Sequence, residues 1–245
     1  MKITFTDTIG VLKEFEPKPA DKSIPDWYKN MDSYIGGTKG TLGNGKTNGT
    51  IKRCMPIFDS ITAGYIIPTY VDIFVKQGEK NITYDGPIDI SGINSQPNYE
   101  APSFEPIALH QMEQAPNHPY RGNHVLSYPK WINPWSIKTP PGYSTLFIQP
   151  THRELPFTIL SGIVDTDKYT APVNFPFVLN KADSFEGVIP AGTPMAQAIP
   201  FKRDSWEMEF GKIEDFNQSI NDLIKIFTKV FDAYKTDFRQ KKEYK

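Results

Sequence analysis

Two aspartates that flank a single threonine, Asp165 and Asp167, are the residues whose type and spacing could most directly do chemistry. In an extended segment, side chains two positions apart point to the same side. Two carboxylates placed together can bind Mg²⁺ or share a proton, which makes Asp165 the candidate catalytic residue. The same residues also suit a solvent-exposed turn, in which Asp side chains accept hydrogen bonds from backbone N–H groups. The sequence favours the turn and leaves the catalytic role open.

Short apolar segments alternate with Pro- and Gly-containing turns on both sides of this acidic turn, between Lys138 and Arg203. The run opens with Thr139-Pro140-Pro141-Gly142-Tyr143, continues through a strand-like segment at 146–148 and closes on residues 190–197. This alternation predicts a compact all-β unit that carries the acidic turn between two of its strands.

Residues 23–29 predict a short capped helix, with Ser23 as the candidate N-cap and Pro25 in the first turn. Much of the remaining sequence before residue 212 has a β pattern, and we expect residues 1–212 to form a single β-rich domain. A hairpin is expected to turn at Asp85-Gly86. Residues 91–122 are polar and rich in proline, which predicts a long loop. Residues 36–49 are rich in glycine and include the residue order of a phosphate-binding loop. Because such a loop must follow a buried strand and begin a helix, we interpret 36–49 as a mobile connection instead.

The last part of the chain changes from a β period to a helical period. Its apolar residues recur at intervals of three and four between Ile220 and Phe238. This pattern predicts one long amphipathic helix from about Glu214 to about Lys241, so that residues 213–245 form a C-terminal helix after the β domain. The aromatic-rich stripe of this helix would pack either on its own domain or on a neighbouring subunit.

The composition of the 245 residues limits the classes of function. A net charge of −1 gives no overall attraction to nucleic acid or to an anionic membrane, and no window approaches the roughly 18 continuous apolar residues of a membrane span. The single cysteine, Cys54, excludes an internal disulfide and a cysteine-based zinc site. Because the four histidines follow no ligand spacing, we expect no metal site. We expect Cys54 to be a buried structural thiol. A protein without disulfides suits a reducing cytoplasm, or a virus particle assembled there.

Several segments of the chain resemble a family of uncharacterised bacterial and phage proteins, which is classed only as a domain of unknown function. The resemblance is carried by Arg53-Cys54-Met55-Pro56, Gly64-Tyr65, Thr139-Pro140-Pro141-Gly142-Tyr143, Gly162-Ile163-Val164-Asp165-Thr166-Asp167 and the run from Phe185 to Arg203. It implies a phage-type protein of the host cytoplasm or the virion, and it implies no activity.

The order of segments between residues 138 and 203 is similar, more distantly, to the trimeric dUTPases and dCTP deaminases, which share a β-clip fold. Those enzymes have a Pro-x-Gly-Tyr strand entry, a Gly-x-Ile-Asp turn with a nearby Tyr, and a Gly-x-x-Ile-Ala-Gln strand, and the counterparts here begin at Pro140, Gly162 and Gly192. The resemblance implies a mainly β protein with a β-clip core, assembled as a homotrimer. It also implies a nucleotide site in which Asp165 would activate water, with Mg²⁺ as cofactor in this case alone. The other candidate ligand-binding residues are Tyr169, Arg153, His152, Gln197 and Asp167.

The chain departs from the enzyme pattern where phosphate would be bound. Tyr169 lies four residues after Asp165 rather than three, and Thr170 stands in place of a glycine. The segment after Ile148 lacks the serine pair of the enzymes, and a helix replaces their glycine-rich C-terminal arm. We therefore expect a non-catalytic binding or virion-associated structural module on a dUTPase-like scaffold, which self-associates or binds other virion proteins. The alternative is a nucleotide-binding protein or hydrolase of the dUTPase or dCTP deaminase type that uses Asp165.

Overall fold

The structure is a computed structural model, and it describes residues 1–10, 13–76, 81–85, 105–114, 127–180, 186–212, 216–229 and 231–245. The chain divides into two compact units, each made from two segments. Unit 1 comprises Met1–Ala20 and Gly64–Arg203, and unit 2 comprises Asp21–Ala63 and Asp204–Lys245. The chain thus divides at other points than the expected boundary after residue 212.

Unit 1 is built from antiparallel β-strands, which confirms the prediction of a mainly β protein. The strands are β1 (Thr4–Asp7), β2 (Lys18–Pro19), β3 (Tyr65–Pro68), β4 (Asp72–Lys76), β5 (Asn81–Asp85), β6 (Ile107–Gln111), β7 (Ser127–Trp131), β8 (Trp135–Lys138), β9 (Tyr143–Ile148), β10 (Phe157–Ile159), β11 (Gly162–Val164), β12 (Phe175–Leu179), β13 (Gly187–Ile189) and β14 (Pro194–Lys202). Short 3₁₀ turns lie at Lys13–Phe15, Ala20–Lys22, Ile51–Arg53 and Met112–Gln114.

Within the described ranges, these strands form four antiparallel sheets. The largest has five strands in the order β11-β9-β14-β3-β2, and a four-stranded sheet has the order β10-β12-β7-β6. A three-stranded sheet has the order β13-β4-β5, and β1 pairs with β8. The long strand β14 is central in the largest sheet, because it pairs with β9 on one side and with β3 on the other.

Aromatic side chains from these sheets meet in one hydrophobic core. The rings of Tyr70 and Trp131 have centroids 4.8 Å apart, and those of Phe147 and Phe175 lie 5.4 Å apart. Burial of each such ring stabilises the fold by roughly 1.5–3 kcal/mol. The Tyr70 hydroxyl donates a hydrogen bond to the carbonyl oxygen of Ile132 at 2.9 Å, so its polar group has a partner inside the core. The core therefore fixes β9, which pairs with the strand before the acidic turn, and β12, the strand after the turn.

Gly64 precedes β3 at a close approach of two backbone segments that a larger residue would prevent. Its φ is +68°, and an added Cβ would overlap the carbonyl oxygen of Ala198 on β14 and lie 2.9 Å from the carbonyl carbon of that residue. A glycine is therefore required here both for its backbone conformation and for the space it leaves. The Gly64-Tyr65 pair noted in the sequence thus has a structural explanation.

The strands predicted around the acidic turn are confirmed: β9 contains residues 146–148, and β14 begins within the closing segment and contains residues 194–197 of it. The expectation of one loop over 91–122 is wrong for residues 107–111, which form β6 and pair with β7. The rest of that expected loop, apart from residues 105–114, lies outside the described residues. The first strand of the expected hairpin is present as β5, which ends at Asp85 and pairs with β4. The residues after Gly86 that were expected to pair with it lie outside the described part of the chain.

Unit 2 contains short helices and the Gly-rich loop. The helices are α1 (Asp26–Asn30), α2 (Met55–Thr62) and α3 (Phe216–Thr228), followed by one π-helical segment at Tyr234–Phe238. In the described ranges, no helix has both the length and the apolar character that crossing a membrane requires.

The Gly-rich loop is organised by one amide side chain, that of Asn48. The Asn48 side chain donates to the carbonyl oxygens of Ile35 at 3.0 Å and Thr38 at 2.8 Å, and it accepts a hydrogen bond from the N–H of Gly40 at 2.8 Å. A 3₁₀ turn at Ile51–Arg53 follows the loop, so it does not begin a helix as a phosphate-binding loop must. The interpretation of residues 36–49 as a connection rather than a phosphate-binding loop agrees with this arrangement, and hydrogen bonds of Asn48 organise the loop internally.

The prediction of a single C-terminal helix from Glu214 to Lys241 is wrong in its extent. The helix α3 ends at Thr228, and Asp232 has a left-handed backbone conformation with φ of +60°. After this turn Arg239 forms an ion pair with Asp59 on α2, with 2.6 Å between Nη2 and Oδ1. Contacts distant in sequence therefore end the helix where the apolar period alone would continue it.

Candidate functional site at the acidic turn

The acidic turn follows β11, and its position is set by the pairing of β11 with β9. Ile163 lies opposite Leu146, and Val164 lies opposite Thr145. After the strand, the N–H groups of Lys168 and Tyr169 donate to the carbonyl oxygen of Asp165 at 2.9 Å and 2.8 Å. These bonds close a compact turn over residues 165–169.

The residue between the two aspartates, Thr166, points into the protein and is fully buried. Its hydroxyl lies 2.8 Å from that of Thr139 and 2.9 Å from that of Thr145. The N–H of Thr139 also donates to the carbonyl oxygen of Thr166 at 3.2 Å. This buried group of three hydroxyls fixes the centre of the turn, and it leaves the side chains of Asp165 and Asp167 on the other side.

Arg203, the residue after β14, binds both aspartates. Its Nη1 lies 3.1 Å from Asp165 Oδ1. It donates two further hydrogen bonds to Asp167, one from Nη1 to Oδ1 at 2.8 Å and one from Nη2 to Oδ2 at 2.5 Å. The N–H of Gly142 donates to Asp167 Oδ2 at 2.8 Å, and the Ser144 hydroxyl donates to Asp165 Oδ1 at 2.6 Å. The expectation that the two carboxylates share a side is therefore confirmed, and a guanidinium joins them.

The charges of this cluster set its protonation. The hydrogen bonds from Arg203, followed by the one from the Gly142 backbone, hold the pKa of Asp167 far below its usual range. The same pairing raises the pKa of Arg203. Asp167 therefore stays ionised at neutral pH. The side chain of Asp167 is 2% exposed and that of Asp165 is 60% exposed, so the two carboxylates differ in their access to solvent.

The arrangement does not suit a divalent cation. A Mg²⁺ ion needs carboxylate oxygens that are free to coordinate it, and here Arg203 already contacts oxygens of both aspartates. Over the described ranges, no three His, Cys, Asp or Glu side chains form a group that could hold a metal ion. The chemistry that the cluster does support is a bidentate guanidinium–carboxylate pair, which links the end of β14 to the turn after β11.

The other candidate residues divide between two ends of the largest sheet. Gln197 lies opposite Ile148, whereas Lys202 lies opposite Tyr143. Since a strand rises about 3.3 Å per residue, Gln197 lies roughly 20 Å along β14 from Arg203. The structure thus groups Asp165 and Asp167 at one end and Gln197 at the other within this chain.

At its own end of the sheet, Gln197 has a structural partner. It is fully buried, and its Oε1 accepts a hydrogen bond from the N–H of Thr151 at 3.0 Å. His152 follows with a left-handed φ of 54° and an exposed side chain, and Arg153 is half-buried. Tyr169 belongs to the acidic turn and is half exposed.

A second polar cluster lies in unit 2, where the sequence analysis placed no site. Arg53 forms an ion pair with Asp232, and its guanidinium lies 5.1 Å from the ring centroid of Tyr34. These residues line a cavity of about 440 Å³ together with Cys54 and Phe231. Cys54 is exposed, so the expectation of a buried thiol is wrong. The thiol is at the surface because Cys54 is the N-cap residue of α2, outside the packed face of that helix.

The sequence analysis missed Arg203 as a partner of the acidic turn, and it missed Ser144 and Gly142 as well. Arg203 lies 36 residues from Asp167 in the chain, so no local spacing connects them. The available signal in the sequence is that Arg203 directly follows the strand predicted from the segment Pro190–Gln197. In unit 2, the Arg53–Asp232 and Asp59–Arg239 pairs span 179 and 180 residues and leave no local pattern.

No protein-family model matches the chain, and no curated protein matches its sequence. Solved structures that are similar to parts of it include two dUTPases. The native dUTPase of EIAV matches 34% of this chain and 68% of its own, with 15% sequence identity and a TM-score of 0.26. A mutant dUTPase from phage phi11 of S. aureus matches 50% of this chain and 90% of its own, with 12% identity and a TM-score of 0.27. At these TM-scores, the two likenesses assign neither a fold family nor an activity to the chain.

Proposed function

We propose that the protein is a non-catalytic, phage-type module on a dUTPase-like β scaffold, and that it acts by binding other protein subunits in the virion or during its assembly. The observation that carries this proposal is the binding of both Asp165 and Asp167 by Arg203. A general base must be free to take a proton from its substrate. Here Asp167 is held ionised by a guanidinium and is almost fully buried, and Asp165 accepts two contacts of its own. The acidic turn is therefore a structural element of the scaffold.

Support for a binding role comes from apolar side chains at the surface. Four large apolar side chains in this part of the chain are strongly exposed. Three of them precede α3, namely Trp206, Met208 and Phe210, and the fourth, Phe227, lies within α3. Exposed apolar groups of this size mark sites of interaction with other molecules.

The absence of catalysis is tested with the purified protein, dUTP and dCTP, with and without Mg²⁺. We expect neither pyrophosphate release nor deamination above the buffer rate. The Asp165→Asn variant serves as the matched control, because it removes the charge of the exposed carboxylate of the acidic turn and keeps its shape. Turnover in the original protein that the variant lacks would overturn the proposal.

A second candidate is nucleotide binding, and the exposure of Asp165 and Tyr169 in the same turn favours it. A ligand that binds the folded state raises the melting temperature by mass action. A nucleotide site at this turn predicts a rise in Tm with millimolar dUTP that the variants Asp165→Asn and Tyr169→Ala both lose. If Tm does not move at that concentration, this second candidate is excluded.

The location in the virion or the host cytoplasm has its own test. Purified particles of a phage that encodes the chain are analysed by quantitative mass spectrometry beside the soluble fraction of the lysate. A structural component is expected in a fixed copy number per particle. Its recovery from the soluble fraction alone would contradict the virion assignment and leave a cytoplasmic assembly role.

A further inference from the structure

Residues 204–212, which we call the arm, carry three large apolar side chains in full contact with solvent. Trp206 is 91% exposed, Met208 is 80% exposed and Phe210 is 88% exposed. They alternate with Glu207 and Glu209, so an extended arm places the apolar side chains on one side and the carboxylates on the other. This is the pattern of a strand with one buried face, yet the face is exposed here. The alternation in the arm is therefore that of a segment whose apolar side is covered when another molecule binds.

The largest sheet of unit 1 presents a complementary feature, which we call the apolar row. Ile163 on β11 lies opposite Leu146 on β9, and Leu146 lies opposite Ile199 on β14. Phe201 lies two residues farther along β14 and shares the same face. The other face of this sheet carries core residues such as Phe147. Ile163 is 64% exposed, so the row opens to solvent at the edge strand.

The acidic turn lies at one end of the apolar row and holds it in place. Asp165 is two residues after Ile163, and Arg203 is two residues after Phe201, so both extend the face that carries the row. The contact of 3.1 Å between Arg203 Nη1 and Asp165 Oδ1 joins the two strands at this point. The row is therefore a fixed surface, with its exposed edge residue tied to the central strand.

We propose that the arm of one copy of this chain docks on the apolar row of a second copy. This inference rests on the proposed function as a binding module, and it names the partner as the chain itself. One chain carries both an exposed apolar segment and an exposed apolar surface of similar chemistry, so copies of it can satisfy both without a further component.

Pairing of two arms with each other is disfavoured by their charges. An antiparallel pair centred on Met208 would set Glu207 of one copy against Glu209 of the other, twice. Like charges directly opposite one another destabilise a strand pair. The apolar row has no carboxylate between Ile163 and Ile199, so an arm placed there avoids this repulsion.

The area of the contact agrees with this arrangement. Side chains of this size bury about 150–250 Å² each, so one docked arm covers on the order of 500 Å² of its own surface and a similar area of the row. A stable interface buries about 1,600 Å² in total, which one such contact does not reach and two contacts exceed. Two copies must therefore exchange their arms reciprocally, so that one dimer interface contains both contacts.

The experiment is sedimentation velocity of the full chain over a range of concentrations. We expect a discrete oligomer for the original protein. The variant Trp206→Ser/Met208→Ser/Phe210→Ser and the variant Ile163→Lys should each weaken association by more than about tenfold. The substituted side chains are exposed, so circular dichroism should show unchanged folding in both. A monomeric original protein, or an oligomer that neither variant weakens, overturns the proposal.

Two matched controls separate the arm from other exposed surfaces. Glu207→Gln/Glu209→Gln alters the polar side of the same segment and should keep the oligomer. Phe227→Ser removes an exposed aromatic side chain from α3 and should also keep it. If Phe227→Ser dissociates the oligomer while the arm variant does not, the interface lies on α3 and the arm proposal is wrong.

A mixing experiment tests the pairing of arm with row directly. The arm variant keeps an intact row, and Ile163→Lys keeps an intact arm. When mixed, they should form a heterodimer that neither forms alone, and it should be weaker than the original oligomer because a single contact remains. The mixture is therefore measured at the high concentrations at which a weak interface of about 1,000 Å² is populated, and the absence of a heterodimer there overturns the pairing. Oligomerisation and nucleotide turnover are measured separately, so the two proposals can fail independently. A monomer without turnover would refute the docking of the arm on the row alone. An oligomer with turnover would refute the proposed non-catalytic function alone.

Discussion

Arg203 and Asp167 are joined by two parallel hydrogen bonds, although the two residues lie 36 positions apart in the chain. The pair connects the end of β14 to the turn that follows β11. Removal of the guanidinium leaves a nearly buried carboxylate with only the Gly142 N–H among the hydrogen-bond donors described for it. We therefore expect Arg203 to stabilise the turn together with the buried hydroxyls around Thr166.

We expect Arg203→Ala to lower the melting temperature by several degrees. Arg203→Lys should recover part of the loss, since it keeps the charge but not the two-pronged geometry. Lys202→Ala, at the neighbouring exposed position, is the control and should lower the melting temperature less than Arg203→Ala does. Differential scanning calorimetry measures all three, and equal stability of Arg203→Ala and the original protein would show that the pair is not structural.

The contribution of Asp167 should depend on pH in a defined direction. Its pKa in the folded protein lies below the value of about 3.9 for an unfolded Asp. The ionised carboxylate therefore stabilises the fold above about pH 4, and this stabilisation is lost as the pH falls from about 4 toward the folded-state pKa. The difference in Tm between the original protein and Asp167→Asn should be constant from neutral pH to about pH 5 and shrink below about pH 4. A difference that grows on acidification would contradict the assignment.

Substitution of two glycines with positive φ should have unequal effects. Gly64→Ala places a Cβ against the backbone of Ala198 and should cost at least about 3 kcal/mol in the free energy of unfolding. Gly142→Ala has a φ of +85° but meets open space, so only the backbone strain of about 1 kcal/mol is expected. Chemical denaturation of the two variants gives the comparison. Equal losses would mean that the close approach at Gly64 is relieved by movement of the strands.

The ion pair between Asp59 and Arg239 should anchor the end of the chain. The hydrogen bond from Arg239, assisted by Lys242, lowers the pKa of Asp59, so the carboxylate is charged at neutral pH. Asp59→Asn should speed cleavage by trypsin after Arg239 and leave the strands of unit 1 unaffected. Limited proteolysis followed by mass spectrometry measures the rate. An unchanged rate would mean that other contacts hold this segment.

The exposure of Cys54 gives a direct chemical test. A thiol reagent should label it in full under native conditions, at a rate close to that of the unfolded chain. The variant Cys54→Ser is the blank. Labelling that requires denaturant would support the buried thiol that the sequence suggested.

The strands around the acidic turn were predictable because their signals are local. The short apolar run at residues 146–148 in β9, with Gly162 at the start of β11 and Asp165 after its end, identifies strand and turn without knowledge of the rest of the chain. The same reasoning anticipated that Asp165 and Asp167 share a side. It did not identify Arg203, because the pairing of β9 with both β11 and β14 is what brings that residue to the turn.

The end of the helix α3, by contrast, could not be predicted from local sequence. Its apolar period continues to Phe238, but the ion pairs of Asp232 with Arg53 and of Arg239 with Asp59 select a turn after Thr228. The β6 strand was missed in a similar way, since its partner β7 supplies the hydrogen bonds that stabilise it. Periodicity reports local preference, and these elements are set by contacts from distant parts of the chain.

The construction of each unit from two separated segments has a consequence for synthesis in the cell. Arg53 and Asp59 leave the ribosome about 180 residues before their ion-pair partners Asp232 and Arg239. At roughly 5–20 residues per second, residues 21–63 wait about 10–40 s for the segment that completes their unit. Unit 1 ends at Arg203, so its strands can pair before the last residues are made. The order of translation thus makes unit 2 the last part of the protein to fold, and a ribosome that stalls late would release a chain with its sheets formed and its helical unit incomplete.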